Sequence, residues 1–288
     1  MPFQAIESSI EDGKPIEFYS FTLGDTVWRY TTSEKDWIDT GFTWTSAAIA
    51  RSNVKQTGES ISDVQTLTVP SWIGPAQLFM TQAPSNSIML TIWCKHSGDA
   101  PVGDAPDAVV IYSGEVTNCN FPLPGQAILS VESLVSSMNR EGLRLAWQRS
   151  CPYAVYDPVT CKVTKAAFKT DFVVLTIDGF TLGVELVTTK ADAYFNNGFL
   201  EWIHPIRGIE YLSIEVHTAV ASPASGEPNA FFVVMNAPGE LFEGALGSVY
   251  PGCNFTPTDC TEKFDNFPNY GGVPDLPGRS PFDGNPVF

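Results

Sequence analysis

Basic residues are scarce in this chain: 16 lysines and arginines stand against 32 aspartates and glutamates, a formal net charge of −16. The deficit is spread evenly and no segment gathers a basic footprint. An acidic surface repels phosphate backbones and anionic lipid heads, which argues against sequence-specific nucleic-acid binding and docking on a membrane surface. Long apolar runs are missing as well, since nothing approaches the roughly 20 consecutive apolar residues of a helical bilayer span. The start, MPFQAIESSIEDGKP, carries neither the basic nor the apolar region of a signal peptide. Synthesis in a cytosol is therefore expected, and there thiols stay reduced. The three histidines, His96, His204 and His217, have no metal-ligand spacing. No G-x-S-x-G, H-E-x-x-H, Walker A or G-x-G-x-x-G pattern occurs. The pairs Asp178/Glu185 and Glu240/Glu243 read as turn or strand-face carboxylates rather than as an acid–base couple.

What is present is a folding chain of 288 residues, 43% hydrophobic, 12% aromatic and 17% charged, long enough for one large β architecture or two domains. Short alternating or continuous apolar segments recur, as in PIEFYSFTLG (15–24), TVWRYTT (26–32), DVQTLTVP (63–70), SIMLTIWCK (87–95), DAVVIYSGEVTNCNF (107–121) and AILSVESL (127–134). The same style continues in 172–188, 210–220 and 230–236, and these are strand signals. Helical pattern is limited to IGPAQLFMTQA (73–83) and an ambiguous 138–148. The dipeptide DG at 178–179 and the tripeptide NNG at 196–198 predict hairpin turns. The fold class expected is mainly β with few short helices: an N-terminal barrel- or sandwich-like domain over 1–150, then a β-rich domain over 151–288. Residues 264–288 hold too many prolines and glycines to extend a helix or a sheet, so something else must hold them down.

Four of the six cysteines form two tight pairs, Cys151 and Cys161 in CPYAVYDPVTC, Cys253 and Cys260 in CNFTPTDC. Two loops that each bring a pair of thiolates close together are a direct route to a four-sulfur metal site. By spacing alone three states remain open: a metal centre, buried free thiols, or disulfides. Tyr153, Tyr156, Phe255 and Phe264 could screen a metal from water, and Lys162, Lys165 and Lys169 could offset the negative charge of four thiolates. Cys94 and Cys119 stand alone in expected strands and read as core residues. Gly271 and Gly272 in the NYGG run suit close backbone approach or positive φ, and that strip reads either as a docking segment for a neighbouring subunit or as a plain surface loop.

The string CPYAVYDPVTC, then NNGF (196–199), then YPGC with Cys260 and the F-x-N-x-x-NYGG-x-P-x-x-PG ending (250–278) resembles the hub, or tail-tip, proteins of long-tailed bacteriophages and gene transfer agents. The segments PIEFYSF to TTSEKDW (15–37) and GFTWTSAAIARSNVKQTGE (41–59) resemble the start of the same family. The resemblance implies a structural, non-enzymatic virion protein at the tail tip or baseplate, assembled in the host cytoplasm. It implies a homotrimeric ring around the tail channel. The implied partners are the distal tail protein, the C-terminus of the tape-measure protein and the central fibre or spike, with DNA passing through the lumen unbound. Lambda-type tail-tip proteins are also similar and are associated with a [4Fe–4S] cluster, which makes Cys151, Cys161, Cys253 and Cys260 its implied ligands, with zinc as the alternative metal. Their cysteine pairs lie closer together in sequence, so here a β subdomain between Cys161 and Cys253 must return the loops to one another. The alternative function is a tail-associated cell-wall hydrolase or a redox protein using the cysteine site.

Overall fold

Strand β1, Pro15–Leu23, carries apolar residues on consecutive positions, and both its faces are covered. Tyr19, Phe21 and Leu23 point into the main core of the first unit, with Leu67, Val69, Leu90, Leu129 and Val131. Phe18, on the opposite face, meets Trp37 and Trp44 edge-on, and Trp44 meets Trp93. A strand buried on two sides reads as a continuous apolar run, and β1 lies near the middle of its sheet for that reason.

The computed structural model describes residues 15–39, 41–54, 64–96, 108–133, 147–236 and 241–276. The chain divides into two compact units, Met1–Arg140 with His204–Glu210, and Glu141–Ile203 with Tyr211–Phe288. In the first, β2 (Thr26–Thr31), β3 (Trp37–Asp39), β4 (Phe42–Ser46), β5 (Ala50–Arg51), β6 (Gln65–Pro70), β7 (Ile88–His96), β8 (Val109–Leu123) and β9 (Gln126–Ser133) join β1. They form one nine-stranded sheet in the order β3-β4-β2-β1-β7-β8-β9-β6-β5. The barrel or sandwich expected over 1–150 is therefore, among the described residues, a single sheet. A one-turn helix, α1 (Gly74–Gln77), occupies the start of the segment expected to be helical. The ambiguous 138–148 falls almost wholly outside the described residues.

The second unit holds the closed barrel, apart from His204 and the first three residues of β13; its strands are β10 (Thr170–Asp178), β11 (Thr181–Leu186), β12 (Phe199–His204), β13 (Gly208–Ala219), β14 (Ala230–Val234) and β15 (Leu246–Tyr250). Its circuit runs β10-β11-β14-β13-β12-β15. Alternation sends Phe172, Val174, Leu182, Val184, Leu186, Phe232 and Val234 inward. Each such side chain contributes about 1.5–3 kcal/mol by leaving water. The DG turn forms as expected, with Asp178 paired to Thr181 across the β10–β11 hairpin. NNG does not make a hairpin: it ends a run of turns that leads into β12, with Asn197 at φ 57°.

A bulge between Ile214 and Val216 breaks the alternation of β13. Leu212 and Ile214 face inward, but the next inward residue is His217, and Val216 is exposed. The His217 ring lies against Phe195 and Phe232, at 5.1 and 5.4 Å between centroids.

Candidate four-cysteine site

The stretch 147–163 and the stretch 251–276 flank the barrel in sequence, and both belong to the second unit. β15 ends at Tyr250, directly before the Pro251–Cys253 segment, and the first cysteine loop precedes β10 through a 3-10 turn, Lys165–Phe168. Pairing of β10 with β15, Thr170 opposite Val249, sets those two ends side by side. The barrel thus returns the second cysteine loop to the first, although the whole of 162–252 lies between them.

Cys151, Cys161, Cys253 and Cys260 line one cavity. All four are free thiols, as are Cys94, buried in β7, and Cys119, half-buried in β8. Among the described residues no group of three or more His, Cys, Asp or Glu is placed so that it could hold a metal ion.

Three sulfurs have an N–H donor: Phe255 N–H to Cys253 Sγ at 3.3 Å, Gly271 N–H to Cys151 Sγ at 3.4 Å, and the Asn266 side-chain amide near Cys161 Sγ at 3.9 Å. Hydrogen bonds of this kind favour the thiolate. Burial works the other way. It pushes the Cys260 thiol up to about 11, with the charges of Cys253, Cys151 and Cys161 adding to the rise. Burial likewise pushes Cys253 up, opposed by the Phe255 N–H and reinforced by Asp259, Cys151 and Cys161. Thiols that raise one another suit a site completed by a cation, whereas a cysteine nucleophile needs the opposite shift.

The loops are strained in a consistent way. Among the described residues six non-glycine positions have positive φ, and four of them, Tyr156, Lys162, Phe255 and Asp265, lie within or beside the cysteine motifs. Such backbone costs energy and persists where the surroundings over-determine it, commonly at functional sites. Cys260 sits in a π-helical turn, Asp259–Lys263, a conformation rare in proteins and frequent at functional sites.

Asn266, buried, is the hinge pin between the two pairs. Its side-chain amide donates to the Cys161 carbonyl at 2.6 Å, its backbone N–H donates to the Cys260 carbonyl at 2.8 Å, and its Oδ1 accepts from Asn269 at 2.7 Å. The Cys151 N–H donates to the Phe255 carbonyl at 2.9 Å, and the Tyr270 hydroxyl donates to the carbonyls of Arg149 and Phe255 at 2.6 and 3.1 Å. Arg149 Nε donates to Leu276 O at 2.7 Å and Val273 N–H to Gln148 O at 2.9 Å. The described part of the Pro/Gly-rich tail is tied down by these contacts, as its composition required. Gly271 and Gly272 do allow close approach, but within the chain: a Cβ on Gly271 would enter the Tyr153 ring, and one on Gly272 would enter the backbone of Arg149 and Ser150. Pro277 and Gly278 lie outside the described residues.

Of the aromatics expected to screen the site, Tyr153, Phe255 and Phe264 line the cavity, joined by Tyr270. Tyr156 stands outside its wall; its hydroxyl donates to Pro251 O at 2.7 Å and its ring meets Phe168, Phe199, Tyr250 and Phe264. The three lysines of the sequence reading take other places. Lys165 pairs with Glu201 and lies over the Phe199, Tyr211 and Tyr250 rings; Lys169 pairs with Asp171 at 2.9 Å; Lys162 is exposed. The cation closest in chemistry to that role is Lys263, which the sequence did not single out. Burial lowers its pKa, and the negative charges of Asp259 and Cys253 oppose that fall.

With this geometry, the second unit is a β-barrel whose entering and leaving chain segments place four cysteines around one cavity. Residues 193–280 match the family model described as "Phage conserved hypothetical protein BR0599". That segment contains Cys253, Cys260, Lys263 and Asn266 but neither Cys151 nor Cys161. The chain is 36% identical over 88 residues, 30% of its length, to a Xylella fastidiosa (strain 9a5c) protein titled "Uncharacterized protein", of which it spans 18%. In fold it is similar to a chain of the structure titled "Virion of native gene transfer agent (GTA) particle", with a TM-score of 0.76 at 17% identity, covering 100% of this chain and 99% of the other.

Proposed function

We propose that this chain is a structural protein of a phage-type virion and, within it, the baseplate hub at the tail tip. The observation that carries the reading is the end-to-end fold similarity to a gene transfer agent virion chain, in which neither chain has a substantial part left over. The phage description of the family model over 193–280 supports it, as does the family resemblance of the cysteine and NYGG motifs. In this reading three copies form a ring around the tail channel, joined to the distal tail protein above, the fibre or spike below and the end of the tape-measure protein. A net charge of −16 suits a channel wall that DNA must pass without adhering.

The four cysteines are assigned to a [4Fe–4S] cluster. The donor set fits: four sulfurs free of disulfides surround one cavity, three of them with N–H donors and with aromatic rings in the wall. Zinc, held by the same four sulfurs at about 2.3 Å, is the alternative metal. When bound, such a group supplies four iron–thiolate bonds between the two loops. The chain's own residues do the rest: Asn266 and Tyr270 bridge the loops, and Tyr153, Phe255 and Phe264 limit water.

The test is location and requirement. Particles carrying a tagged copy, gold-labelled and viewed by electron microscopy, should show label at the tail tip. Deletion of the gene should arrest tail assembly. Label on the head or along the tube, or complete infectious particles without the protein, would overturn the reading. The alternative of a cell-wall hydrolase is checked by zymography on peptidoglycan, where no clearing is expected.

A further inference from the structure

Lys263 shares the π turn of Cys260, and its side chain folds back so that Nζ donates to the Gly252 carbonyl at 2.7 Å. That carbonyl belongs to the peptide leading into Cys253, so one side chain joins the backbone around two of the four sulfurs. The ammonium is half-buried, 5.2 Å from the Tyr194 ring centre and 5.7 Å from that of Phe264, which lines the cavity. Among the described residues no carboxylate pairs with it, whereas Lys165 and Lys169 are committed to Glu201 and Asp171. A half-buried positive charge without a carboxylate partner acts on nearby charge with little screening.

We infer that Lys263 is the charge-balancing and positioning residue of the cysteine site: it holds the Cys253 loop against the Cys260 turn and offsets part of the negative charge of four ligated thiolates. This rests on the cluster reading above. Two consequences separate the charge from the hydrogen bond. A fixed positive charge favours the more negative, reduced state of a bound cluster, so it raises the reduction potential. It also slows loss of iron, because four crowded thiolates repel one another less beside a cation.

The experiment uses the full chain purified anaerobically with its metal, as wild type and as Lys263→Arg, Lys263→Gln and Lys263→Met. Iron and acid-labile sulfide per chain, the reduction midpoint, and the rate of iron loss to a chelator are measured, with thermal melting alongside. Arginine should behave as wild type. Glutamine, which keeps a donor for Gly252 but no charge, should shift the midpoint downward and lose iron several-fold faster with little change in melting. Methionine should do both and melt lower. A glutamine variant with the midpoint and iron-loss rate of an iron-loaded wild type would overturn the inference and leave the cluster reading intact. A wild-type chain holding neither iron nor sulfide would overturn both.

Discussion

His217 shows how one residue can govern the pH response of the barrel. Its ring is 1% exposed, between Phe195 and Phe232, and neither ring nitrogen has a hydrogen-bond partner. Burial lowers its pKa below the usual 6.5; the Asp192 carboxylate pushes it up and the Lys263 ammonium pushes it down. The unfolded chain therefore takes up this proton first as pH falls, so stability declines from about pH 6.5 downward until the folded form is also protonated. The carboxylates of Asp157 and Asp171 are also lowered, but by partners rather than by burial, through hydrogen bonds from Thr160 and from Lys169 respectively, so what they contribute is lost only below about pH 3.8. Denaturant melts between pH 7 and 5 should fall for the wild type and flatten for His217→Phe; parallel slopes would assign the loss elsewhere. This residue could not be read from the sequence. Alternation in EYLSIEVHTAV places Val216 inside with Leu212 and Ile214, and only the bulge turns His217 inward. The four cysteines, by contrast, were legible because two short loops limit where their sulfurs can go. Asn266 was visible within a motif, yet its bonds to Cys161 and Cys260 depend on a fold that sequence pattern does not describe.

Among the elements, β15 has the weakest signature and the greatest consequence. LGSVY reads as neither alternating nor continuous, so this strand escaped the pattern, yet it pairs with both β10 and β12 and closes the barrel. Gly247 explains both facts. A Cβ there would stand 2.6 Å from the Phe172 ring tip and 2.8 Å from the Glu201 carbonyl, so the strand needs a residue with no side chain where Phe172 fills the barrel. Replacing Gly247 with valine should destabilise the second unit by about 1–3 kcal/mol or more through overpacking. The midpoint of urea unfolding, followed by fluorescence, measures it, and an unchanged midpoint would mean that β15 can shift without cost. The long strands β1, β7 and β10 were readable because burial imposes period or continuity on them. The short β3, β4 and β5 were not, since they depend on long-range partners such as β2 beside β4 and β6 beside β5.

For the whole molecule, the presence of two cores decides what removal of the proposed cluster would do. The first unit packs around Tyr19, Phe21 and Leu129, the second around Phe172, Val184 and Phe232, and all four cysteines belong to the second. Bonds from Cys151 to Cys260 would close a loop of about 110 residues, worth on the order of 4–5 kcal/mol by restriction of the unfolded chain. Because the loops already approach through hydrogen bonds at Asn266 and Tyr270, part of the site forms without metal, and the measured gain should fall below that figure. Scanning calorimetry of the metal-loaded chain should resolve two transitions, one for each core. Anaerobic chelation, or Cys161→Ser, should lower one of them by several degrees and leave the other in place. The tail beyond Phe264 should become sensitive to protease in the same samples, since its anchor points at Cys151, Arg149 and Phe255 belong to the loops that the proposed cluster would join. If both transitions move together, the units unfold as one body. If neither moves while iron is lost, the cysteines hold metal without stapling the fold, and the stability of this region resides in the barrel alone.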